Sequence, residues 1–88
     1  MPEDIAGAIR QGNARFARAD YRGALSAFRY ALTRSPHDRA ARMALALSLD
    51  QLGKFRQSLL LWTSLDAEAA SSDPWILYFL GRNRLMQG

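Results

Sequence analysis

The sequence predicts an all-α fold of five helices, set as two helix-pair units and the leading helix of a third. The first observation behind this is an internal repeat. Shifted by 34 residues, Tyr21 falls on Phe55, Ala24 on Ser58, Leu25 on Leu59, Phe28 on Trp62 and Ala31 on Leu65, while Gly12 falls on Ala46 and Ala19 on Gly53. A further shift of 35 carries Leu45 onto Leu80, Ala46 onto Gly81, Gly53 onto Gly88 and Asp38 onto Asp73. The second is apolar spacing. Tyr21, Ala24, Leu25, Phe28, Ala31 and Leu32 follow an i, i+3, i+4, i+7 pattern, one apolar face of a helix, and Phe55, Leu59, Trp62 and Leu65 repeat it. The third is punctuation, with aspartates and prolines at the expected boundaries. The whole chain, 1–88, reads as a single domain with units near 5–38, 39–73 and 74–88.

Each element follows from these signals. The leading helices are expected from about Asp4 to Arg18, Arg39 to Leu52 and Pro74 to Met86. Asp20, Asp38 and Asp73 stand at N-cap positions, where a carboxylate accepts from free backbone N–H groups. Proline at position 74 is pre-shaped for the first helical turn. Pro36 stops the second helix by removing a donor and clashing with the preceding turn. Gly53 supplies the tight turn inside the second unit. Gly12, Ala46 and Gly81 are small where a leading helix meets its companion, because close helix approach leaves no room for a large side chain. The aromatics Tyr21, Phe28, Phe55 and Trp62 fill the space between neighbouring helices.

Composition bounds the function. Apolar residues are 49% and charged residues 23%, the profile of a globular chain. With no cysteine and a single histidine, His37, in an inter-unit turn, neither a thiol nor a zinc site can be assembled, and no metal or other cofactor is expected. The carboxylates Asp50, Asp66, Glu68 and Asp73 read as caps and surface charges rather than a catalytic pair. Gly53-Lys54 lacks the flanking glycine and hydroxyl residue of a phosphate loop, since Ser48 and Phe55 stand at those positions. The expectation is a protein that is not an enzyme. The acidic start lacks a signal-peptide layout, and the longest apolar run, Trp75 to Leu80, is too short for a membrane span, so a soluble, cytoplasmic chain is expected.

The residues Gly12-Asn13-Ala14, Asp20-Tyr21, Ala24-Leu25, Phe28, Ala31-Leu32 and Pro36 resemble the tetratricopeptide repeat. In that family a small residue, an aromatic, two alanines and a proline recur at these spacings. The second unit departs from the pattern at Ser58 and lacks the closing proline; the third keeps only its first helix. The resemblance implies a right-handed superhelix of antiparallel helix pairs, with a concave groove lined by leading helices. In addition, the order of features from Gly53-Lys54-Phe55 through Asp73-Pro74 to Gly88 is similar to the class II chaperones of type III secretion, which hold translocator proteins before export.

The groove implied by the resemblance is lined by Ile9, Asn13, Met43, Leu47, Asp50, Tyr78 and Arg82, with Ala6, Arg10 and Phe16 near its edge. Asn13 matches family members that grip a terminal carboxylate, but Ile9, Met43 and Leu47 replace the other polar partners. The groove therefore reads as apolar with polar edges, suited to an apolar segment of a partner protein. The last helix is apolar all round, so Trp75, Ile76, Phe79 and Leu80 mark an end that needs a cover, such as self-association of the chain. Nucleic acid is the rival partner. The net charge is +4, and eleven of twelve basic residues are arginine, with Arg15, Arg18 and Arg22 near the first turn and Arg82 and Arg84 near the end. Their scatter, and the apolar character of Leu59, Leu60, Leu61 and Trp62 on the would-be recognition helix, count against it.

Overall fold

The computed structural model of the chain describes residues 4–68 and 74–87. Five helices follow in order: α1 (Ile5–Ala17), α2 (Tyr21–Arg34), α3 (Arg39–Gln51), α4 (Phe55–Glu68) and α5 (Pro74–Gln87). No strand occurs among the described residues. The leading helices start and stop within one residue of the expected positions. Asp73 and Gly88, a cap and a repeat position in the sequence reading, lie outside the described residues.

Helix starts are set by aspartate. Asp4, Asp20 and Asp38 each turn a carboxylate onto an amide of the first turn, accepting from Gly7 at 2.6 Å, Gly23 at 3.0 Å and Ala41 at 2.9 Å. Each bond satisfies a donor that the helix itself leaves orphaned. The repeat puts Lys54 where Asp20 stands, so α4 begins without that device. Before Pro36, Ser35 is extended at φ −141° and ψ 85°, the conformation a following proline imposes, and α2 ends there.

The repeat extends to the backbone. Between α1 and α2, Ala19 adopts φ 63°; between α3 and α4, Gly53 adopts φ 75°. The same hydrogen bonds close both turns. The Asp20 amide donates to the Arg15 carbonyl and the Lys54 amide to Leu49, each at 2.9 Å, while Ala19 and Gly53 donate to Phe16 and Asp50. Left-handed backbone is the usual exit from a helix when glycine provides it; alanine holds it against the clash of its Cβ.

Consecutive helices pack on one another, and α1 also touches α3. Contacts run in opposite directions along each pair: Gly12 meets Phe28 while Phe16 meets Tyr21, and Ser58 meets Asn83 while Trp62 meets Phe79. The helices of those pairs are therefore antiparallel. The row measures 42 × 29 × 17 Å.

Two apolar clusters occupy equivalent places in the two units. In the first, Ala24, Leu25, Phe28, Leu45 and Leu49 are buried together, with Ile9 and Phe16 against them. In the second, Ala46, Trp62, Leu65, Ile76 and Leu80 are buried, with Met43, Leu47 and Phe79 against them. A Cβ on Gly12 would overlap the Phe28 ring. Phe28 and Trp62 are both fully buried, each in the niche its repeat position assigns. A third, smaller cluster of Ala8, Ala31 and Ala41 draws α1, α2 and α3 together.

The two left-handed turns give a paired prediction. Ala19→Gly relieves the strained position and stabilises by about 0.5–1 kcal/mol, while Gly53→Ala destabilises by about 1 kcal/mol. Thermal unfolding followed by circular dichroism should show the two midpoints moving in opposite directions, by about 4–8 °C per kcal/mol.

Candidate functional site

The face assigned to a partner is built from α1, α3 and α5. On α1, Ile9 is half-buried against the first and third clusters, and Asn13 is exposed. On α3, Met43 and Leu47 lie one turn apart, half-buried, both resting on the second cluster. On α5, Tyr78 is 58% exposed and Arg82 is exposed. Tyr78 stands edge-on to Phe79 at 5.1 Å and to Trp75 at 6.5 Å. Burial therefore rises in the middle of the series and falls toward α5, which carries its most accessible ring.

Asp50 is the residue whose role changes. Expected in the groove, its carboxylate is turned inward and occupied. One oxygen accepts from Trp62 Nε1–H at 2.9 Å, and the other accepts from the Ser58 hydroxyl. Asn83 completes the group from α5. Its amide nitrogen donates to Ser58 Oγ at 2.6 Å and to the Phe55 carbonyl at 3.0 Å, and it lies 3.3 Å from the same Asp50 oxygen. A half-buried carboxylate is tolerable when donors surround it, and here two helices, α4 and α5, supply them. Asp50 is thus held by packing partners and, half-buried, also forms part of a cleft wall.

This network was not singled out from the sequence, although its signals are there. Asp50 occupies the repeat position of Phe16, Ser58 that of Ala24, and Asn83 that of Ala14 and Ser48. Three polar residues replacing apolar or small ones at packed positions is a pattern of mutual satisfaction. Only the fold shows that the three positions converge.

Beside the network a cleft of about 250 Å³ opens between the end of α3 and α5, lined by Asp50, Gln51, Gly53, Phe55, Arg82, Asn83 and Met86. Two residues from the expected groove, Asp50 and Arg82, are brought together here, one at the polar wall and one exposed. The volume is below the range of small-molecule sites, roughly 300–1,000 Å³, and of a size for one or two side chains.

The expected self-association end needs correction. Ile76 is fully buried, Leu80 is 7% exposed, and Phe79 is stacked on Trp62 at 5.0 Å. These three face the chain's own core because Ile76, Phe79, Leu80 and Asn83 form the helical stripe that packs on α4. Trp75 does remain exposed, and the apolar surface it belongs to consists instead of Leu77, Tyr78, Leu85 and Met86. Of the arginines, Arg15 donates to the Gly23 carbonyl at 3.4 Å across the first turn. Among the described residues, no three side chains of metal-ligating type gather at one point, and no helix is long and apolar enough to cross a membrane. Comparison with family models, characterised proteins and solved structures yields no match for this chain.

Removing members of the polar network should show its weight. Asp50→Ala leaves the Trp62 N–H without an acceptor and the Ser58 hydroxyl with only the Phe55 carbonyl, and should cost about 2–4 kcal/mol. Asn83→Leu should cost less, about 1–2 kcal/mol, but broaden the amide resonances of α5 as that helix loses its fixed rotation. Urea unfolding and proton–nitrogen correlation spectra of the two variants measure both effects.

Proposed function

We propose that the chain is a non-enzymatic protein-interaction module of the tetratricopeptide type, which holds an apolar segment of a partner protein along the face formed by α1, α3 and α5. One observation carries this reading. The unit of about 34 residues recurs in backbone as well as in side chains: the left-handed turns at Ala19 and Gly53 correspond, and so do the Phe28 and Trp62 niches. A row of helix pairs stacked in one register leaves the leading helices on a common side, and repeat arrays use that side as an extended binding surface.

The lining supports the chemistry of the partner. Met43 and Leu47 offer half-buried apolar surface at the centre. Asn13 lies exposed toward one end, and Tyr78 and Arg82 toward the other. An aromatic ring with a hydroxyl, beside a guanidinium, can seat an apolar side chain and pair an adjacent carbonyl or carboxylate. The cleft at Phe55 and Met86 extends the same surface and is large enough for one anchoring side chain. The resemblance to secretion chaperones supplies a partner class, a translocator protein held before export.

The test is selection of a displayed peptide library on the immobilised chain, repeated with Met43→Lys and Leu47→Lys. Enriched peptides should carry spaced apolar residues. Their affinity should fall at least about tenfold in either variant while helicity is retained, and it should change little with salt. Failure to enrich any peptide, combined with oligonucleotide binding that weakens steeply as salt rises, would transfer the function to nucleic acid through the arginines.

A further inference from the structure

Pro74, Leu77, Tyr78, Gly81 and Leu85 share one outward face of α5, at spacings of three, four, seven and eleven residues from the first. Leu77 is 46%, Tyr78 58% and Leu85 83% exposed, and a Cβ placed on Gly81 would meet nothing within 4 Å. Two repeat shifts, 69 residues, carry this face onto Ile5, Ala8, Ile9, Gly12 and Phe16 of α1. That face of α1 is covered: Gly12 receives the Phe28 ring, and Phe16 stands edge-on to Tyr21 at 5.0 Å. The middle unit is covered too, with Ala46 and Trp62 buried in one cluster. On α5 the small residue has no aromatic above it among the described residues.

We infer that a second copy of this chain covers the face, through an antiparallel, twofold-symmetric pairing of α5 with α5. The basis is that one helix carries both halves of the contact used inside each unit. Tyr78 is an exposed ring and Gly81, three residues on, is an open niche. In an antiparallel pair with its axis at the level between Phe79 and Leu80, Tyr78 of each copy lies over Gly81 of the other. The same register sets Pro74 against Leu85 of the second copy. Every contact occurs twice, as an isologous interface requires. The charges agree, because these pairings place no arginine opposite another.

Size sets the strength. Leu77, Tyr78 and Leu85 together make an exposed apolar face of the kind that is often functional on a monomer. One helix face per copy makes a small interface, so the dimer should be weak and reversible. Tyr78 is shared with the partner groove, but Met43 and Leu47 take no part in the pairing, so Met43→Lys should leave dimerisation unchanged while weakening peptide capture.

Sedimentation equilibrium of the full chain, from low micromolar to near-millimolar concentration, tests it with three variants. Wild type should pass from monomer to dimer. Gly81→Leu should fold with an unchanged or higher Tm, since it replaces a helix-interior glycine facing open space. It should nevertheless weaken dimerisation at least about tenfold, because its side chain fills the niche for Tyr78. Tyr78→Ala should weaken it similarly. Leu60→Glu, on an exposed leucine of α4, should leave dimerisation unchanged. A wild-type chain that stays monomeric throughout overturns the inference and leaves the face to a helix of another protein. Dimerisation that survives Gly81→Leu, or is lost in Leu60→Glu, overturns it by placing the interface elsewhere.

Discussion

The fold depends on a ring set over a small residue where the two helices of each complete unit meet. Phe28 over Gly12 fixes how near α1 and α2 can come, because the ring occupies the space a methyl on Gly12 would need. Close approach then lets the Ala8, Ala31 and Ala41 cluster form without large side chains, since three methyl groups reach one another only across short interaxial distances. In the second unit Trp62 takes the same place and Ala46 replaces glycine. The larger ring also brings a polar N–H into the interior, and that N–H needs an acceptor.

Much of what distinguishes the two units follows from that indole. Asp50 stands where the first unit has Phe16, and its carboxylate accepts from Trp62. Where Phe16 packs edge-on to Tyr21, Asp50 instead gathers hydrogen bonds. Ser58 replaces Ala24 and donates to the other oxygen, and Asn83 reaches across from α5 to Ser58. One apolar crossing has been rebuilt as a polar one at equivalent positions. The rebuilt version is directional, so it links α3, α4 and α5 in a single arrangement, whereas apolar contacts tolerate small slides.

The helices and their order were legible in the sequence because helix periodicity, aspartate caps and Pro36 are local signals. The turn at Gly53 was legible as well. Its counterpart at Ala19 was visible only as a repeat position, since alanine does not itself ask for positive φ. The groove positions on α3 and α5 were read from spacing, and Met43, Leu47, Tyr78 and Arg82 do present side chains that are at least partly accessible. The network around Asp50 was not legible because its partners come from two other helices, up to 33 residues away. The same limit applies to α5. A helix with apolar residues on all sides gives no indication in sequence of which side is buried, so Ile76, Phe79 and Leu80 could not be separated from Leu77, Tyr78 and Leu85.

That ambiguity is a physical problem for the chain as well as for its reader. Burial of apolar area is non-directional, and α5 could rest on α4 through more than one of its faces with similar gain. Turned by one residue, about 100°, it would still bury either two leucines, Leu77 and Leu80, or three rings, Trp75, Tyr78 and Phe79, with Arg84 or Arg82 brought to the place of Asn83. What such a rotation could not reproduce is the position of Asn83. Rotated away, Asn83 would leave the Ser58 oxygen and the Phe55 carbonyl without their donor inside a packed interface, and the cost falls on groups already removed from water. The polar group thus selects one rotation among several of comparable hydrophobic energy, which is the use of a buried amide best attested in helix pairs. By fixing Ile76, Phe79 and Leu80 inward, it also determines that Leu77, Tyr78 and Gly81 face outward, so the most exposed apolar surface of the molecule is set by a hydrogen bond on the opposite side of the same helix.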